Sequence, residues 1–262
     1  MRIAIDARYL TNEFSGIGNY SENLVRNLVP MDPENQYAIF VHQSFDRDLD
    51  LPDNAEVIPL AGKPLSFYTL LSLARRVRET GADVFHALFP IIPLMCRVPM
   101  LVTVHDLQAL TVPGFTGRRF YPVKRAYDLF YQWAYPRAIR RARFLIADSH
   151  ATRRDMAVFF PESRANTMVI YPGLDRSFGE PVDEMTLQQV TEKYQIPERY
   201  ILYLGSTRPN KNLPNMIRAF HQMREEREDL RDVFFCMIVS ADRFFDESRR
   251  LIKTLRLQKR MR

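Results

Sequence analysis

Two cysteines, Cys96 and Cys236, are all that 262 residues contain. They stand far apart, with neither metal-ligand spacing nor the framework of a disulfide-stapled domain. A reducing compartment suits such a chain, and a cytoplasmic location is expected. Low-complexity tracts and internal repeats are missing too, and the 17 prolines are spread out as loop punctuation. The apolar start is broken at Asp6, before the core of a signal peptide takes shape, so no export is expected. Long apolar runs are also lacking. The segment from Phe85 to Val104 comes nearest, but Pro90, Pro93, Arg97 and Pro99 interrupt it, whereas a membrane-spanning helix needs ~20 largely unbroken apolar residues. Two buried strands joined by a loop are expected there.

What the chain does have is enough apolar material to bury a core, 46% of its residues, beside an ordinary 26% that are charged. Its net charge of +6 is unevenly placed. Between Gly117 and Arg143 eight lysines and arginines meet only Asp128, and Arg249 to Arg262 adds seven more with no acid. The rest of the chain is therefore acidic on balance, and the basic character is confined to patches.

Short apolar, β-branched runs alternate with helical patterns, which predicts a parallel sheet covered on both faces. The predicted strands are Arg2–Asp6, Tyr37–His42, Glu56–Leu60, Asp83–Leu88, Met100–His105, Phe144–Asp148 and Met168–Tyr171. Helices are predicted over Asn19–Val29, Leu65–Thr80, Tyr121–Arg141 and Thr152–Phe160. The fold class is α/β: a Rossmann-like, doubly wound first domain over residues 1–178, followed at 179–262 by the start of a second. That start comprises helix Glu184–Tyr194, strand Tyr200–Gly205, helix Leu213–Glu226, strand Val233–Ser240 and helix Phe245–Leu257. Two βα units fill only part of an ordinary domain of ~150 residues, so the second domain is expected to be incomplete within this chain.

Three segments have the residue types for chemistry. Ser15–Tyr20 places Gly16 and Gly18 between the first strand and the first helix, where small residues let backbone amides approach an anion; a loop kept for turn geometry is the other reading. Thr103–Asp106 puts His105 at the carboxyl end of a buried strand, the edge where open α/β sheets place ligands. A histidine that merely satisfies a loop is the alternative. Gly205–Leu213 leaves a strand and opens a helix with Ser206, Arg208 and Lys211 between, a place for a diphosphate or simply a solvated basic turn. Ala147–Ser149 reads mainly as structure, with Ser149 and Thr152 as caps of the next helix and Asp155 completing a box. The remaining histidines, His42, His86, His150 and His221, show no zinc-like spacing with His105, and no metal site is expected.

Taken in order along the chain, the Gly16/Gly18 loop, Thr103–Asp106, Ala147–Ser149, Tyr171–Asp175 and Tyr200–Leu213 continuing to Phe220 resemble the retaining glycosyltransferases of family 4, which have the two-domain GT-B fold. Mannosyltransferases of bacterial polysaccharide assembly are the most similar branch. The resemblance implies a hexose, mannose-like, moved with retention from a nucleotide-diphosphate sugar to a polysaccharide or lipid-linked acceptor. The donor is a substrate, and no resident cofactor is implied. By the same resemblance Gly16 and Gly18 face the donor's diphosphate, His105 lies beside the transferred sugar, and Lys211 neutralises the departing diphosphate. Gly205 and Ser206 line the same turn. The family's arginine follows that glycine; Ser206 stands there instead, so either Arg208 substitutes from two residues further on or the pocket is weaker. The glutamate pair with which the family grips the donor is expected past Arg262.

The basic segment 117–143 also carries Phe120, Tyr121, Tyr127, Phe130, Tyr131, Trp133 and Tyr135. Peripheral contact with an anionic inner-membrane face is one reading, and a core helix with solvated arginines is the other. A non-catalytic remnant, or one piece of a split protein that holds an acceptor, membrane or partner, is the alternative function. A nicotinamide-dependent dehydrogenase is disfavoured because no acidic residue ends the second strand, and no nucleic-acid-binding motif accompanies the basic patches.

Overall fold

The computed structural model describes residues 1–11, 15–112, 121–174, 178–239 and 244–262. The parts of the sequence segments that fall at Gly117–Phe120, Asp175 and Ser240 lie outside these. Contacts gather the described residues into two compact units, one built from Met1–Thr111 and Arg125–Gly173 and the other from Leu174–Arg262.

In the first unit the order is β1 (Arg2–Asp6), α1 (Gly16–Met31), β2 (Gln36–His42), β3 (Ala55–Leu60), α2 (Phe67–Leu71), α3 (Leu73–Glu79), β4 (Val84–Ala87), β5 (Met100–Val104), α4 (Gln108–Thr111), α5 (Tyr121–Arg141), β6 (Phe144–Ala147), α6 (His150–Phe159) and β7 (Thr167–Val169). The strands form one parallel sheet in the order β3-β2-β1-β4-β5-β6-β7, with Ile5 beside Ile39 on one side and His86 on the other. Central strands are apolar almost without interruption, as burial on both faces demands: β2 buries Tyr37, Ala38, Ile39, Phe40 and Val41. The edge strands differ, β3 burying only Leu60 and β7 running for three residues.

Helix α1 turns Gly18, Ser21, Val25 and Val29 inward, one face at helical spacing, against a core that includes Ile5, Leu10, Ile39 and Leu88. The predicted helix over Leu65–Thr80 is two helices, broken at Ser72, where Arg75 reaches back by the tighter three-residue step to the Ser72 carbonyl at 3.1 Å. Helix α5 buries Tyr131, Ala134, Tyr135, Ala138 and Ile139 and leaves Leu129, Trp133 and Arg140 exposed. Its Tyr135 packs edge-on against Phe89, which in turn meets the Tyr9 ring.

The second unit holds α7 (Glu184–Tyr194), β8 (Tyr200–Leu204), α8 (Leu213–Glu226), β9 (Phe234–Ile238) and α9 (Phe245–Thr254), with β8 and β9 paired in parallel. Leu213, Ile217 and Phe220 form the buried face of α8, and the Phe220 ring stacks on Phe235 at 5.4 Å. The β8–β9 sheet leaves Leu202, Leu204 and Ile238 exposed. No helix among the described residues is long and apolar enough to cross a membrane.

Candidate functional site

The strand order reverses between β1 and β4, and in open parallel sheets ligands gather beyond the carboxyl ends at such a point. Immediately past β1 lies a buried ion pair. Arg8 has no exposed surface and grips Asp6 with two bonds of 2.7 Å. It also donates to the Gly62 carbonyl at 2.8 Å and to Thr69 at 2.9 Å. Burial works against the Arg8 cation, but the charge and hydrogen bonds of Asp6 outweigh it, and the guanidinium is held above its ordinary value. With its donors spent inside the protein, Arg8 ties the chain after β3 to the end of β1. It has little left to offer a ligand.

The glycine loop follows. Ser15 caps α1 by accepting the Gly18 amide at 3.0 Å. A Cβ on Gly18 would stand 2.8 Å from both Ser15 Oγ and the Tyr9 carbonyl, so this glycine is required for a close approach of two backbones. Among the described residues nothing lies within 4 Å of where a Gly16 Cβ would be. Ser21 is buried and bonds back to the Ile17 carbonyl at 2.8 Å, so it serves the helix.

His105 stands just past β5, and an acceptor faces each of its ring nitrogens. Nε2 is 3.1 Å from the Leu88 carbonyl and Nδ1 is 3.3 Å from Asp148 Oδ2. The Tyr20 ring meets it edge-on at 4.8 Å. Burial pushes the Tyr20 phenol up; its hydrogen bond with Thr103 opposes that, and the charge of Asp148 adds to it. Thr103 in turn lies 2.9 Å from His86 Nε2. His86 is fully enclosed, which drives its imidazole down to about 3 and keeps it neutral near neutral pH. Asp106, which follows His105, accepts the Gln108 amide at 2.9 Å and so starts α4. Among the described residues no group of three His, Cys, Asp or Glu side chains is placed to hold a metal ion.

Two residues beside His105 carry more than the sequence revealed. Ser149 does cap α6, taking the Thr152 amide at 3.1 Å. Thr152 is no cap, however; the helix already begins at His150, and the Thr152 hydroxyl lies 2.8 Å from the His105 carbonyl and 3.1 Å from Asp148 Oδ1. The box expected with Asp155 does not form, because a helix capped by Ser149 has Thr152 rather than Asp155 three residues on.

In the second unit the turn after β8 carries Gly205, Ser206, Arg208 and Lys211. A short 3₁₀ turn over Pro209–Lys211 and a left-handed Asn212 (φ 53°) lead into α8. Arg208 and Lys211 are exposed, and neither is in an ion pair among the described residues. The helix start adds few amides: Pro214 has none, and those of Asn215 and Met216 donate to the Asn212 carbonyl at 3.1 and 3.3 Å. What this turn presents to an anion is therefore mainly two side-chain charges. Tyr203, which sequence reasoning passed over, pins it by donating to the Ser206 carbonyl at 2.6 Å, and its hydroxyl lies 3.2 Å from where a Gly205 Cβ would be.

In comparisons with known proteins, the pattern of Glycosyltransferase Family 4 matches residues 14–178. Solved structures share the fold over essentially the whole chain. WaaG, a glycosyltransferase involved in lipopolysaccharide biosynthesis, has a TM-score of 0.66 at 15% identity over 99% of this chain and 69% of its own. HepE from Anabaena, solved with UDP-glucose, gives 0.63 at 15% over 100% and 68%. A glycosyltransferase from Rickettsia africae gives 0.63 at 14% over 100% and 67%. No curated protein matches at the level of sequence. With the family pattern extending over more than half of its residues, in a chain whose parallel sheet has the Rossmann-like order of the GT-B fold, this transferase belongs to Glycosyltransferase Family 4.

Proposed function

We propose that the chain moves a hexose, mannose-like, from a nucleoside-diphosphate sugar to a polysaccharide or lipid-linked acceptor, with retention, on the cytoplasmic side of the cell. The observation that carries this reading beyond family membership is the pair of exposed cations Arg208 and Lys211 after β8, neither in an ion pair among the described residues. They neutralise the diphosphate as the bond from the sugar's anomeric carbon to the phosphate oxygen breaks, and stabilisation of that developing charge is the main catalytic term. The acceptor hydroxyl forms its bond to the same face of the sugar, and its proton passes to the departing phosphate oxygen. Gly205 and Ser206 shape the turn that carries the two cations; in the first unit the amide of Gly16 is the anion donor, Gly18 is needed to form that loop because its own amide is taken by Ser15, and His105 serves the sugar.

Calorimetric titration with GDP-mannose and UDP-glucose tests this. Saturable binding of one of them is expected, weakened about tenfold or more by Lys211→Ala, since a hydrogen bond to a charged group is worth about 1.5–3 kcal/mol. Unchanged affinity in the variant rejects the assignment. Binding with no transfer to any acceptor favours the alternative, a non-catalytic holder of its ligand.

Helix α5 supports a further reading of partners. Its buried aromatic face belongs to the core, yet the opposite side exposes Arg125, Leu129 and Trp133, with Arg137 over the Trp133 ring at 5.6 Å and Arg140 paired with Glu162 at 2.9 Å. This is the composition of a surface that lies on anionic lipid, where each cation adds about 1 kcal/mol. The chain is expected to sediment with vesicles containing phosphatidylglycerol and not with pure phosphatidylcholine. Equal recovery with both removes the membrane from the list of partners.

A further inference from the structure

His105 and Asp148 come from different strand ends, 43 residues apart in sequence, and meet at 3.3 Å. The His105 ring has one orientation that uses this meeting. With Nε2 toward the Leu88 carbonyl and Nδ1 toward Asp148, both nitrogens face acceptors. Turning the ring over would put C–H groups against both oxygens, and no nitrogen would face Asp148. The edge of Tyr20 closes a third side.

Asp148 is itself fixed. Its Oδ1 lies 3.1 Å from the Thr152 hydroxyl, whose single proton is shared between this oxygen and the His105 carbonyl at 2.8 Å, and Oδ2 is the oxygen that faces the ring. No capping duty explains the carboxylate, because Ser149 caps α6. The pair also remains open to solvent, with 15% of the His105 side chain and 22% of the Asp148 side chain exposed. His86 is the contrast: sealed in the sheet and bonded to Thr103, it serves the core.

We propose that Asp148 is the positioning residue of His105. Its carboxylate accepts from Nδ1–H, selects the one ring orientation, and holds that ring in place for the sugar. The last element rests on the reading of His105 given above, while the pairing itself does not. A carboxylate only accepts, so the pairing requires the ring proton on Nδ1.

The test uses the full chain and the isosteric variant Asp148→Asn, with folding checked by circular dichroism. In long-range proton–nitrogen spectra of the imidazoles, the His105 resonances are identified by their disappearance in His105→Gln. Asp148→Asn is expected to shift the His105 ring nitrogens and leave those of His86 in place; unmoved His105 signals overturn the pairing. If the variant fails to fold, the unmodified chain still decides: Nδ1 of His105 must show an attached, slowly exchanging proton, and its absence overturns the proposal. Titration with the nucleotide sugar that binds then addresses the sugar. Asp148→Asn should weaken affinity about fivefold alone and add nothing in the His105→Gln background, as for two residues acting as one unit. Full additivity rejects the positioning role. Should no nucleotide sugar bind the unmodified chain, the proposed function fails, and the spectra still settle the pairing.

Discussion

Replacing Asp6 by alanine is expected to cost about 3–5 kcal/mol of stability, because it strands a guanidinium with no exposed surface. Arg8 would keep its bonds to the Gly62 carbonyl and Thr69 but lose both to the carboxylate, and neither neutral partner offsets a buried charge. At roughly 2–4 °C per kcal/mol for a unit of this size, the midpoint should fall by about 10 °C. Trp133, the chain's single tryptophan, lies in the first unit and reports its unfolding by fluorescence. Removing both partners, as in Asp6→Ala with Arg8→Met, should recover much of the loss, since an apolar pair carries no unpaid desolvation. A cost below about 1 kcal/mol for Asp6→Ala alone would show that the pair does not hold the segment after β3 to the end of β1.

The second large effect is a dependence on pH. His86 is held down to about 3 by burial, against about 6.5 in an unfolded chain. Between these values the unfolded chain binds a proton that the folded protein refuses, so stability is highest above about pH 6.5 and falls as the solution is acidified. The loss on moving from pH 7 to pH 5 should be about 2 kcal/mol from this group. His86→Gln, which keeps a polar group toward Thr103 and does not titrate, is expected to flatten that part of the profile. Identical acid slopes for the two proteins would mean that His86 takes up its proton without unfolding.

Much of the architecture is legible in the chain. Strand Arg2–Asp6 and helices Tyr121–Arg141, Glu184–Tyr194 and Leu213–Glu226 have the bounds that the sequence predicts, and in the last of these apolar residues at helical spacing give the buried face. Where the local signal is weak the reading slipped. Nothing in Leu65–Thr80 marks Ser72 as a break, and Ser149 and Thr152 compete as caps until the helix start at His150 decides between them.

The site divides in the same way. His105, Gly18 and Lys211 are conspicuous as residue types at the ends of strands and the starts of helices. Their partners are not. Asp148 reaches His105 across 43 residues, Arg8 reaches Thr69 across 61, and Tyr203 pins Ser206 only because the turn folds back over its ring.

The sequence by itself determined the alternation of strands and helices, the parallel sheet that follows from it, and the family, because periodicity and short motifs are carried by neighbours along the chain. Only the tertiary structure decided which polar groups are spent and which are left. Arg8 is consumed by Asp6, Asp148 meets His105, and Arg208 and Lys211 are exposed with no ion pair among the described residues. Such pairings depend on strand order and on burial, and those arise when the whole sheet closes over its core rather than within any stretch of residues.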